Sequence, residues 1–180
     1  MESILKLLER LRELLELREN QSQVLFEVHI EPIYSMVGKV TDDYLHLFKQ
    51  TLDQLTDNSR SLPIILEKLV NRRKKLELVR KGLAKCSSSL YDFSGDQIKE
   101  FVCLCNRLII FHPICGWTSD SIGRAKATSL IDIIERAINS NDPGIRNKLL
   151  QRVNWCIKDT KMIWSDITDL YILLKRKMLK

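Results

Sequence analysis

Four side chains of metal-binding type, Cys103, Cys105, His112 and Cys115, fall within a short stretch of the chain. Thiolates and imidazoles are the usual zinc ligands and must converge on one ion at about 2 Å. A helix through this segment points residues 103 and 105 about 200° apart and sets 105 and 112 about 10 Å apart along its axis. The spacing therefore reads as small apolar cysteines in a buried helix, and no metal is expected. A second group, Asp42, Asp43 and His46, places carboxylates one helical turn before an imidazole. Metal centres built this way in bundles need two such units and two further inward carboxylates. Only one unit is present, which makes His46 a surface residue beside two solvated acids.

Arg107 and His112, with four residues between them, form a third constellation. The spacing resembles the Arg-x4-6-His motif of HEPN ribonucleases, which are small helical bundles and usually dimers. The resemblance implies that Arg107 binds the scissile phosphate and that His112 acts in acid–base cleavage. Read from the residues alone, the pair is an arginine at the edge of a buried helix and a histidine at its C-terminus, where the helix dipole favours a cation. Other catalytic signatures are missing: the chain has no phosphate-binding glycine loop, no Gly-x-Ser-x-Gly elbow, no His-Glu-x-x-His and no Cys-x-x-Cys. No cofactor is expected.

Charge supplies a fourth candidate. The 180 residues carry 29 Lys and Arg against 23 Asp and Glu, a formal charge of +6. The excess is local, because residues 72–85 hold seven basic side chains against Glu77 alone while the remainder balances. In a helix, Lys74, Lys81 and Lys85 point away from the apolar stripe of Leu76, Val79 and Leu83, and Arg73 and Arg80 flank it. Such a face can meet phosphates, anionic lipid or an acidic protein; it also serves as an ordinary solvated surface. No aromatic residue lies between Ser61 and Leu90, so contact with phosphate rather than stacking on bases is the mode it predicts for nucleic acid.

The elements that must position these groups are helices. Six Gly and four Pro are about half of average usage, too few for the frequent turns of a sandwich, a barrel or a parallel sheet. Apolar and charged contents of 44% and 29% belong to a folded chain. Hydrophobic periodicity predicts six helices. The first carries Ile4, Leu8, Leu11 and Leu15. The second runs from Val24 to about Leu55, with a kink or restart near Glu31 imposed by Pro32. The third starts at an N-cap on Ser61 with Pro63 in its first turn, and shows Leu62, Leu66 and Leu69 on one face. The fourth, Ile98 to about Phe111, has a capping-box pattern at Ser94 and Gln97 and is apolar on almost every side, as a buried central element would be. The fifth spans about Ser121 to Ile138 and aligns Ile122, Ala125, Ser129, Ile133, Ala137 and Ile138.

The sixth helix opens at Asp142-Pro143 and has the longest pattern. Leu149, Val153, Cys156, Thr160, Ile163, Ile167, Leu170 and Leu174 alternate steps of four and three, a heptad seam on a helix about 50 Å long. Trp155 and Trp164 lie beside it. The expected architecture is one all-α domain over 1–180, an elongated antiparallel bundle. Five cysteines, an odd number in a chain able to build its own core, favour a reducing compartment. No export signal or membrane span is apparent, so a cytoplasmic protein without membrane contact is expected. The function predicted is a non-catalytic interaction or self-associating module whose seam residues Leu149, Val153, Ile163, Ile167, Leu170 and Leu174 meet a protein partner or a second copy. Binding of nucleic acid or an anionic surface through Arg73, Lys74, Arg80, Lys81 and Lys85 is the alternative, and HEPN-like cleavage the third.

Overall fold

The computed structural model describes residues 21–56, 62–75, 95–110, 130–139 and 144–179, and among these only Gly95, Asn139 and Leu179 lie outside a helix. The expected helix of Ile4–Leu15 and the segments 76–94, 111–129 and 140–143 lie outside the described residues. We label α1 Glu31–Thr56, α2 residues 62–75, α3 Asp96–Ile110, α4 Leu130–Ile138 and α5 Gly144–Met178.

The chain is helical from its first described residue, 21, and passes through a π turn, Phe26–Ile30, directly into α1. Pro32 explains the turn. Its ring has no N–H to donate and would press on the carbonyl four residues back; one wider turn accommodates this, with the Glu31 amide donating to the Phe26 carbonyl. The expected restart near Glu31 is thus an uninterrupted helix with a local change of pitch, and Phe26, Ile30, Ile33 and Val37 all reach the core. Two threonines buried in α1 satisfy their hydroxyls locally: Thr41 Oγ1 donates to the Val37 carbonyl and Thr51 Oγ1 to that of Leu47, at 2.8 and 2.7 Å.

α5 is the axis of the bundle and packs against α1, α3 and α4. It runs antiparallel to α1. Tyr34 stacks between Trp164 and Tyr171, at centroid distances of 4.9 and 3.8 Å, while at the far end of α1 Arg146 donates to the Leu55 and Thr56 carbonyls. An arginine there satisfies acceptors that a helix C-terminus leaves open. Trp164 fits because residue 38 is glycine: a Cβ on Gly38 would stand 3.1 Å from the indole Cη2. α3 is also antiparallel to α5, with Lys177 Nζ 3.4 Å from Gln97 Oε1 and Arg107 Nη2 3.4 Å from Asp159 Oδ1. α3 therefore runs parallel to α1. The Arg72–Asp43 ion pair, 2.8 Å, ties α2 to the middle of α1.

Several expectations from the sequence do not hold. α3 is not buried on all sides: Ile98, Phe101, Val102, Cys105, Leu108 and Ile109 face the core, whereas Lys99, Glu100, Cys103 and Arg107 are exposed or half-exposed. Its N-cap is Gly95, whose carbonyl accepts from the Ile98 and Lys99 amides, one residue later than the Ser94 pattern suggests. The buried face of α2 is Ile65 and Leu69, with Leu62 and Leu66 half-buried at its edge. In α4 the core takes Leu130, Ile131, Ile134 and Ala137 and leaves Ile138 exposed. Both faces are shifted around the helix from the predicted ones while keeping Leu69 and Ala137, because the neighbours that cover a helix, and not its own periodicity, choose among adjacent apolar residues.

Candidate functional site

The α5 seam is inside the chain. Leu149, Val153, Cys156, Thr160, Ile163, Ile167 and Leu174 are buried, and Leu170 is half-buried against them. The partners expected from a second chain are supplied by this one, since α1, α3 and α4 cover the seam. The seam residues build the core, with Leu170 at its edge.

A different row on α5 meets solvent. Trp155, Met162 and Leu173 are 41%, 49% and 44% exposed. At about 100° per residue they share one stripe, roughly 120° around the helix from the seam. The Arg152 guanidinium lies over the Trp155 ring, 4.4 Å from its centroid, which orients the indole without covering it. Lys158, Asp166 and Asp169 border the row and are exposed. The two tryptophans that the sequence sets together beside the seam thus have opposite fates: Trp164 packs into the aromatic stack with α1, and Trp155 faces outward. The outer row escapes a search for heptads because its spacings are seven and eleven. Its only sequence signal is three large apolar residues off the seam on an otherwise polar flank.

Arg107 stands at the end of α3 with a half-exposed side chain held to Asp159. His112 lies outside the described residues, so Asp159 is the partner the structure assigns to Arg107. Cys103 is exposed and Cys105 buried, the divergence that helix geometry requires of residues two apart; Cys115 lies outside the described residues. Burial pushes the Cys105 thiol well above its ordinary pKa. Burial likewise pushes Cys156 up to about 12, opposed by Arg152 and aided by Asp159. His46 is paired with the Gln50 side-chain amide at 2.9 Å, while Asp43 turns to Arg72. Among the described residues no three His, Cys, Asp or Glu side chains gather to hold a metal ion.

On α2, Arg73, Lys74 and Lys75 are exposed and Arg72 is engaged by Asp43. Arg80, Lys81 and Lys85 lie outside the described residues. Among the described residues no helix is long and apolar enough to cross a membrane. No family model, curated protein or solved structure matches the chain.

Proposed function

We propose that this protein is a non-catalytic helical interaction module, a single six-helix domain over 1–180 working in the cytoplasm, whose contact surface is the outer face of α5. The observation that carries the reading is the row Trp155, Met162 and Leu173, large apolar side chains left in solvent on a helix whose other apolar row is buried in the core. Aromatic residues and methionine are enriched at protein interfaces, and a Trp held over an Arg is the kind of rigid anchor that dominates them. The seam supports this reading indirectly, by anchoring α5 in the core along its length while the outer row stays exposed. A photo-cross-linking residue at position 162 should form protein adducts in cells, and one at exposed Lys68 should not. Equal yields from the two positions would reject this surface.

The exposed Arg73, Lys74 and Lys75 favour a second reading, in which the basic helix binds a polyanion by pairing with its phosphates. Replacing Arg73, Lys74, Lys81 and Lys85 by Gln should then flatten the dependence of duplex RNA affinity on salt, by about 0.7–0.9 in log–log slope for each phosphate no longer neutralised. An unchanged slope rejects it.

A further inference from the structure

We propose that the occupant of the outer row is a second copy of this chain, its α5 lying antiparallel across the first about a two-fold axis near residue 164. The proposal rests on the outer face of α5 being an interaction surface and adds the partner and its register.

Charge and the spacing of the row both point to this pairing. With the axis at residue 164, position 155 of one copy lies opposite position 173 of the other, so each exposed Trp155 meets the exposed Leu173 of its mate. The two Met162 side chains meet across the axis, about 6 Å apart along the helix direction. A two-fold axis perpendicular to the helices also brings like flanks together. Lys158 and Asp169 lie on the same flank of the row, and both are exposed. Position 158 falls opposite position 170, so Lys158 of each copy stands beside Asp169 of the other, giving two symmetric ion pairs. On the opposite flank the two Asp166 carboxylates approach one another. On that flank Arg107 is held by Asp159 and Arg152 lies over Trp155. A parallel pairing instead brings Asp166 of each copy to Asp169 of the other, carboxylate against carboxylate. The interface is one helix wide and belongs to the small, weak class below about 1,200 Å².

Sedimentation equilibrium in reductant, from about 1 µM to about 500 µM so as to bracket weak interfaces, tests the proposal. The wild type should pass from monomer to dimer across this range. Met162→Glu, at an exposed position, should stay monomeric with an unchanged circular dichroism spectrum. Lys158→Asp and Asp169→Lys should each weaken the dimer, about fivefold for two exposed pairs, and the two substitutions in one chain should restore it. A wild type that stays monomeric throughout overturns the proposal, as does a dimer indifferent to Met162→Glu. Tightening by Asp169→Lys alone would overturn the antiparallel register. A monomer that nevertheless cross-links from position 162 to another protein overturns self-pairing and leaves the interaction surface standing.

Discussion

Three thiols occupy the described helices, and burial separates their chemistry. The thiolate is the reactive form, and Cys105 and Cys156 are withheld from it by an apolar surround, whereas Cys103 faces solvent. Iodoacetamide should label Cys103 in the native protein and reach Cys105 and Cys156 only on unfolding, as peptide mapping will read. The same burial sets a pH dependence. A thiol whose folded pKa is raised stabilises the fold at low pH and loses that contribution as pH climbs from its unfolded value of 9.0 toward the folded one, about 12 for Cys156. Tyr171 acts in the same direction, its pKa raised by burial and Glu31 against the opposing pull of Lys175. Denaturant midpoints should therefore fall above about pH 9, and Cys156→Ala should make that fall shallower. At Gly38 the relevant quantity is space. A methyl group there would sit 3.1 Å from the Trp164 ring, so Gly38→Val should cost about 1–3 kcal/mol by overpacking. Combined with Trp164→Ala the cost should be less than additive, because both substitutions act on one contact.

At the scale of the element, α5 has two apolar rows, one buried and one exposed. The periodicity of Leu149 through Leu174 is legible in the chain, and a helix of that length follows from it. Its use is not, since a heptad seam has the same sequence whether its holes are filled by a second chain or by distant helices of its own. Substitution separates the rows. Ile167→Ala, at a fully buried position, should cost about 2–5 kcal/mol, and Met162→Ala should stay within about 0.5 kcal/mol in the monomer. Both values can be read from urea titrations at low protein concentration. Arg146 is an element-scale residue too. It binds the last carbonyls of α1 from a distance in sequence that no local pattern reveals, and Arg146→Ala should lower stability in the same titrations by about 1–2 kcal/mol. Pro32 is the opposite case: its position alone predicts an irregularity near Glu31, although only the fold selects a π turn over a break.

For the whole molecule, association and stability are linked. If two copies pair through α5, the melting temperature must rise with protein concentration, because the dimer removes folded monomer from the unfolding equilibrium. Met162→Glu should abolish that dependence without lowering the melting temperature at low concentration. Differential scanning calorimetry at two concentrations about a hundredfold apart is sufficient, since a change of that size shifts a linked equilibrium by up to about 2.7 kcal/mol.

What the chain determines by itself is helix: too few Gly and Pro for frequent turns, apolar residues at steps of three and four, and proline and glycine at the boundaries. These are local preferences, fixed by neighbours within one or two turns. The tertiary structure decided which apolar row is core and which is surface, that Arg107 meets Asp159, and that Trp164 is packed against α1 while Trp155 is not. Each of those outcomes depends on contacts between residues far apart in the chain, where helices of similar pattern compete for the same partner and complementarity of shape chooses among them.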